Sequence, residues 1–454
     1  MTNNGSARPA PTLRGSLLFG NMTVLQRDPL RFNPQVTNQL GHVVRVRAFP
    51  GIYLYLVTHP KDVEHVLQTN QHNYRKPDLF FKPVSLLAGK GILTSEGDFW
   101  LHQRRLIQPA FHRSKLATLV DLMAESAQSA AKDLSAHAKQ NPTIDVSYEM
   151  MRLTLKVVSV ALFSTDISSD ADRLGHAVRE TFEHVSYRMN HALSLPVSVP
   201  TRRNRRFKEA KRLLDEMVFG VIDERRRTAE DNGDLLSMLL AARDEDTGER
   251  MSDQQLRDEV MTLILAGHET TGAALSWTWY LLSQNPEART RLHAELDQVL
   301  NGRPPGLDDL DRLPYTRMVF AESMRLYPPA WGLPREAIGD DTLGGYHIPA
   351  GSLVNLSQWV TQRHPDFWEK PEQFDPERFT PERSEGRPRY AYFPFGGGAR
   401  QCIGNNFALM EAHLAVATLA QRFTLDLVPG HPVEPDPTFT LRPRHGMLMT
   451  IKER

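Results

Sequence analysis

The sequence predicts a mainly α protein of the α+β type: a helical bundle with a small antiparallel β-rich side, built as a single domain over residues 1–454. Three observations carry this expectation. Apolar residues recur at helical spacing through most of the stretch from Trp100 to Leu300. Residues His42 to Val57 alternate apolar and polar side chains around Pro50-Gly51, as paired strands do. After Pro328 the pattern shortens into strands and turns rich in proline and aromatic residues.

In chain order, the paired strands lead into a short helix expected from Lys61 to Gln68. Residues 70–95 hold Pro77, Pro83, Gly89 and Gly91, which predicts a long irregular loop. The helical region breaks near Pro196–Pro200 and again in the acidic stretch Arg243–Arg250. Ser252 with Gln255 three residues on is a capping-box pattern, and it opens a long helix reaching about Ser283. Gly267, Thr270 and Thr271 are poor helix formers clustered in its interior. Threonine hydroxyls there can bond the carbonyl four residues back and bend the helix; a seam of small residues for packing is the competing reading. Short strands are expected around Pro328–Ile348, a meander from His364 to Phe395, a helix from Asn405 to Phe423, and closing strands between Phe439 and Ile451.

Composition excludes several classes of function. Lysine plus arginine (54) equals aspartate plus glutamate (54), so there is no basic excess to hold a nucleic acid. No run of eighteen apolar residues occurs, and the N-terminus carries neither an apolar signal core nor a spanning helix, which predicts a cytoplasmic protein without a membrane span. One cysteine in 454 residues rules out an intrachain disulfide and an all-cysteine metal site. No histidine pair stands at zinc-ligand spacing, so the sequence does not indicate a zinc enzyme.

That one cysteine sits in Phe395-Gly-Gly-Gly398-Ala-Arg400-Gln-Cys402-Ile-Gly404. A lone cysteine is most often a small buried hydrophobe. A glycine-rich loop around it, however, can wrap one sulfur tightly, aim backbone N–H groups at it and present it as a single strong ligand. Phe-x-x-Gly-x-Arg-x-Cys-x-Gly fixes five identities at set spacings, and four further motifs follow the same order along the chain: Trp100-x-x-x-Arg104, Ala266-Gly-His-Glu269-Thr270-Thr271, Glu322-x-x-Arg325 and Pro376-Glu-Arg378-Phe379. Together they resemble the haem-thiolate signature of the cytochrome P-450 monooxygenases, of the soluble bacterial type, over nearly the whole chain.

The resemblance implies haem b with Cys402 as the iron ligand, a thiolate that pushes electron density onto the metal. It implies Arg104, Arg335 and Arg400 as partners of the haem propionates, Trp100 as an added indole donor, Phe395 packed beside the ligand, and Gly404 closing the loop. Thr270 and Glu269 would hold and relay the protons that O–O cleavage needs. This acid and alcohol also argue against the peroxide-driven subfamily, in which the pair is replaced. His268, between them in sequence, reads as a packing or surface residue. Glu322, Arg325 and Arg378 would form a buried structural network.

The implied reaction is insertion of one oxygen atom from O2 into a C–H or C=C bond. The alternatives are a haem protein without turnover, such as a sensor or gas carrier, and a peroxygenase or isomerase. Segments that line the family's pocket supply Phe80, Phe182, Leu263, Ala266, Ala330, Trp331 and Phe439, with Leu93, Met189, Gly267 and Thr440 nearby. Their apolar character implies a lipophilic substrate such as a fatty acid, terpenoid or polyketide. Arg75 and Lys76 read as solvated loop charges. The chain ends about fifty residues after the cysteine, so no flavin, iron–sulfur cluster or fused reductase is expected, and electrons would come from a ferredoxin or flavodoxin-type donor with its NAD(P)H reductase. His102-Gln-Arg-Arg105 and His112-Arg-Ser-Lys115 offer a basic docking patch for such a carrier; Arg202-Arg-Asn-Arg-Arg206 reads as a solvated turn.

Overall fold

The computed structural model describes residues 8–16, 20–49, 51–164, 171–191, 194–244 and 248–454. Pro50, the N-terminal tip and part of the acidic stretch near 245 lie outside the described residues. The helices used below are α1 (Gly97–Ile107), α2 (Val146–Phe163), α3 (Ala171–Asn190), α4 (Arg202–Thr228), α5 (Asp253–Gln284), α6 (Pro314–Leu326) and α7 (Asn405–Arg422). The strands are β1 (Val43–Phe49), β2 (Ile52–Val57), β3 (Leu333–Ala337) and β4 (Leu353–Leu356). The chain forms two compact units, each assembled from separate segments.

The first unit takes Met1–Phe80, Met324–Phe374 and Thr380–Cys402. Its six-stranded sheet runs Thr12–Leu13, β1, β2, β4, β3, Tyr74–Arg75. β1 and β2 form the expected antiparallel hairpin, with Val44 opposite Leu56. The strand period of two sends Val44, Val46 and Leu56 toward Phe32 and Val36 of the Pro29–Leu40 helix. The alternate residues Val43, Tyr55 and Val57 join Val354, Leu356, Tyr390 and Phe393 on the other face. Within this sheet β2 and β4 pair in parallel, Leu54 against Leu353, beside the antiparallel pairs. Strands joined by a two-residue turn must run antiparallel, whereas segments joined by a long crossover are free to run parallel. The Lys61–Gln68 helix is modified, into an α turn at Pro60–Glu64 and a wider π turn at His65–Thr69.

The second unit takes Phe81–Ser323, Asp375–Phe379 and Ile403–Arg454. Its axis is α5, 32 residues and so about 48 Å long. The capping box forms as read: Gln255 N donates to Ser252 Oγ at 3.2 Å, and Ser252 N donates to Gln255 Oε1 at 2.8 Å. Unlike an amphipathic surface helix, α5 is buried nearly all round, against α2, α4, α7 and the closing strands. Trp277 Nε1 donates to the Leu441 carbonyl at 2.9 Å and so ties the helix to those strands. The loop expected at 70–95 is corrected too: Asp78–Ala88 is helical with Pro83 inside it. Burial of Val84, Leu87 and Ala88 outweighs the one hydrogen bond that proline removes. Among the described residues no helix is long and apolar enough to cross a membrane.

Candidate active site

Glycines shape the cysteine loop in the first unit. Gly396 and Gly398 have φ of +70° and +64°, a region that side chains with a Cβ rarely enter. A Cβ on Gly398 would lie 1.7 Å from the Leu67 carbonyl oxygen, and one on Gly397 would lie 2.4 Å from the Tyr390 hydroxyl. The loop therefore presses directly on neighbouring backbone and ring. Cys402 N donates to the Phe395 carbonyl at 3.0 Å and closes the turn. The result is an exposed Cys402 at the tip of a rigid loop, with half-buried Phe395 and Arg400 beside it in sequence. Exposure of the chain's single cysteine is the opposite of the buried-hydrophobe alternative. Gly404 begins α7 in the second unit, and its carbonyl accepts the Ala408 N–H at 2.9 Å.

The acid and the alcohol lie on α5. Thr270 Oγ1 donates to the Ala266 carbonyl, the back-bonding expected of it, and the helix continues without interruption. Around this point α5 changes character: Ala266 is exposed and Thr270 half-buried, while Leu263, Glu269 and Thr271 are buried. The other side of the same turn is a packing seam. A Cβ on Gly267 would come within 3.0 Å of Val158, and one on Gly272 within 2.7 Å of Met151 Sδ. Gly267 therefore packs against α2. The Thr270 back-bond and this packing seam occupy the same stretch of α5. His268 is half-buried; its carbonyl accepts Thr154 Oγ1 at 2.9 Å, and burial pushes its imidazole down to about 4. That fits its reading as a packing residue.

The anchoring candidates divide between the units. Trp100 and Arg104 stand one turn apart on α1, on one face. Trp100 is buried and Arg104 half-buried. Arg335 is buried on β3 opposite Val354, and its Nη1 donates to the Pro334 carbonyl at 2.9 Å. In the structural network, Arg378 Nε lies 3.3 Å from Glu322 Oε1, with both side chains buried. The same Glu322 oxygen accepts Asp375 N at 3.0 Å. Arg325, fully buried, donates to the carbonyls of Gln362 at 2.8 Å and Gln373 at 3.2 Å and stacks over Trp368.

Phe182 and Phe439 meet with ring centroids 6.0 Å apart, so two pocket candidates from distant segments do come together. Phe80 lies on the Asp78–Ala88 helix instead of a loop, while Ala330 and Trp331 are half-buried before β3. Arg75 is committed to Glu336 at 2.5 Å. The basic patch on and after α1 is reduced as well. His102 pairs with the buried Asp244 at 3.0 Å, and Arg113 pairs with Asp311 at 3.4 Å. Arg105, Arg113 and Lys115 are its exposed cations.

Three further features were not read from the sequence. Arg442 Nη1 approaches Glu269 Oε1 at 3.9 Å. Burial raises the Glu269 carboxyl, and this guanidinium and the Thr440 hydroxyl oppose the rise. Glu411 on α7 is buried with no cation among the groups that shift it; burial raises it well above the usual carboxylate range, and the Thr271 hydroxyl beside it lowers it only in part. Finally, Asp258 and Glu259 on α5 accept the backbone N–H groups of Lys90 at 2.8 Å and Ile92 at 2.9 Å and pin the segment that carries Leu93. Asp258 and Glu259 look like surface charges in the second turn of the helix, and no spacing marks them as clamps.

A mainly helical fold with a glycine-bound cysteine and an acid–alcohol pair in a buried helix defines a haem monooxygenase class. The chain belongs to the cytochrome P450 family, whose profile matches residues 9–451. It is 39% identical over 441 residues to the cyclooctatin synthase of Streptomyces melanosporofaciens, covering 97% of this chain and 94% of that protein. It is 35% identical over 421 residues to the pentalenene oxygenase of Streptomyces avermitilis, covering 92% and 91%. The haem domain of cytochrome P450DA superposes with a TM-score of 0.89 at 29% identity, over 99% of this chain and 98% of that one. A retinoic acid-bound cyanobacterial P450 gives 0.87 at 26% identity, over 99% and 100%. The protein is thus a cytochrome P450 monooxygenase with a haem-iron cofactor, using O2 and electrons from a redox partner on lipophilic substrates.

Proposed function

We propose that residues 1–454 act as one haem domain that hydroxylates or epoxidises a terpenoid, with Cys402 as the residue whose sulfur would hold the iron of haem b. The observation that carries this reading is the exposed Cys402 held by glycines whose Cβ positions are already filled by Leu67 and Tyr390. Haem so ligated supplies oxygen activation, with the thiolate favouring O–O cleavage. The residues present suit such a group. Arg104, Arg335 and Arg400 offer guanidinium forks for its propionates, Trp100 offers an indole N–H, Phe395 offers an apolar neighbour to the sulfur, and Gly404 starts the helix that follows the ligand. At Gly404 the nearest protein atom a Cβ would meet is 3.8 Å away, so protein packing alone does not demand glycine there.

The chain's own part in proton handling falls to Thr270 and Glu269. The Thr270 hydroxyl is held by the Ala266 carbonyl at the interior turn of α5 where Ala266 is exposed. Glu269 is a buried carboxyl whose Oε2 meets no protein donor, with Arg442 balancing the cost of ionising it. Such a group can take up a proton at one oxygen and release it at the other. Leu263, Ala266, Phe182 and Phe439 supply apolar surface suited to a cyclic hydrocarbon; Phe80, Ala330 and Trp331 complete the proposed lining. The terpenoid class is favoured over fatty acids and polyketides by the cyclooctatin and pentalenene relatives. A ferredoxin or flavodoxin-type carrier with its NAD(P)H reductase is the proposed electron source, docking at Arg105 and Lys115 beside α1; no second redox group in this chain is needed.

The test is spectroscopic and then chemical. The reduced protein with carbon monoxide should give the thiolate-type Soret band, and Cys402→Ser should abolish it. With a surrogate ferredoxin and reductase, a cyclic terpene that displaces iron-bound water should yield a product one oxygen heavier, at the expense of NADPH. A histidine-type band, or turnover supported by peroxide but never by reductant, would refute the assignment.

A further inference from the structure

In the first unit, three residues far apart in sequence converge on one point. His42 immediately precedes β1, and His364 and Asp366 lie in the His364-Pro-Asp366 turn after β4. His42 Nε2 is 3.1 Å from Asp366 Oδ2, and His364 Nδ1 is 3.6 Å from the same oxygen. Each of the three offers a ligand atom within 4.8 Å of the others.

Thr58 Oγ1 stands 3.0 Å from His42 Nδ1 and holds that ring with Nε2 toward the Asp366 carboxylate. His364 Nδ1 accepts the Asp366 backbone N–H at 3.3 Å and faces the same carboxylate. Two imidazole nitrogens and a carboxylate oxygen thus converge on one point.

We propose that His42, His364 and Asp366 form a zinc-binding site, with Thr58 as the group that orients His42. Two nitrogen or oxygen ligands about 2.1 Å from a tetrahedral Zn2+ stand about 3.4 Å apart, and the observed 3.1 and 3.6 Å bracket that value. Two imidazoles and one carboxylate, with water in the fourth place, are a zinc ligand set, and imidazole suits zinc better than magnesium or calcium. The partner of a ligating ring's second N–H fixes its tautomer and orientation, and buried Thr58 does this for His42. His59, whose ring meets His42 edge-on at 5.1 Å, contributes no ligand atom to this cluster, and its Nδ1 accepts Lys61 N at 3.2 Å. The ion would clip the β1–β2 hairpin to the turn that leads into the meander. It would be distinct from the haem and independent of the terpenoid assignment.

The experiment uses the purified holoprotein, stripped with a chelator and titrated with Zn2+ by calorimetry and by zinc-edge X-ray absorption. One equivalent should bind, with two imidazoles in the first coordination shell, and the thermal midpoint should rise. Asp366→Asn, at an exposed position, and His42→Ala should each weaken binding at least about tenfold, while Thr58→Val should weaken it roughly 10–100-fold. Haem content and the carbon monoxide spectrum should not change in any of them. Failure to take up one equivalent would overturn the proposal in favour of a plain His42–Asp366 ion pair. Undiminished binding in the His42→Ala/Asp366→Asn double variant would overturn it in favour of another site.

Discussion

Glu269 and Glu411 are both buried carboxyls in the second unit, and they meet different surroundings. Glu269 has Arg442 at 3.9 Å and Thr440 beside it, so its two protonation states are brought closer in energy. Glu411 has only the Thr271 hydroxyl against full burial, so burial favours its neutral form. The first arrangement suits proton exchange, while the second suits a fixed uncharged group. Thr270 adds the hydroxyl at the turn where Ala266 is exposed. Thr270→Ala should retain haem and substrate binding yet lower product formed per O2 consumed by roughly 10²-fold, the scale of a lost proton-transfer group. Measuring product, peroxide and O2 together checks this; unchanged coupling would remove Thr270 from the proposed role. Of these residues, Glu269 and Thr270 stood out in the sequence as an acid and an alcohol side by side. Arg442 did not, because 173 residues separate it from Glu269 and only the packing of the closing strands against α5 brings them together.

At the scale of elements, the cysteine loop and the Glu322 network depend on exact fit. Gly398→Ala should lose haem incorporation, because φ of +64° costs a non-glycine residue of order 1–3 kcal/mol before the clash with the Leu67 oxygen is counted. Haem-to-protein ratio after expression is the measurement, and a fully loaded variant would show that the loop can yield. Glu322→Ala should leave Arg378 buried without its carboxylate, at a cost of roughly 3–5 kcal/mol. The expected outcome is haem-free or insoluble protein; a soluble, loaded and active variant would contradict it. The limits of α5 and α7 were legible because caps and periodicity are local properties. The Asp78–Ala88 helix was not, since its Pro77 and Pro83 signal a loop and only burial of one apolar face makes the helix stable.

For the molecule as a whole, buried ionisable groups set the response to pH. Burial pushes His413 down to about 3, and burial with two nearby arginines pushes His184 down to about 4. Unfolding returns both toward 6.5, so below that value the unfolded state binds more protons and stability falls as pH drops from about 6.5 toward 4. Glu411 acts in the opposite sense. Its raised folded pKa means the folded state holds the extra proton above about 4.5, so its contribution weakens as pH rises. Relative to the parent, Glu411→Gln should therefore gain stability progressively between pH 5 and pH 8, and denaturant midpoints across that range check it. A constant difference between the two proteins would show that Glu411 is ionised in the folded state.

The reading of the chain alone settled the helical class, the paired strands and the limits of α5, because each rests on spacing within a few turns of backbone; the residues proposed to carry the chemistry came from the resemblance of their motifs. Tertiary structure alone decided the parallel β2–β4 pairing, the guanidinium beside Glu269, the isolation of Glu411 and the meeting of His42 with the His364-Pro-Asp366 turn. These are contacts between segments far apart in sequence. No periodicity records them, since they follow from which surfaces the whole chain must bury against one another.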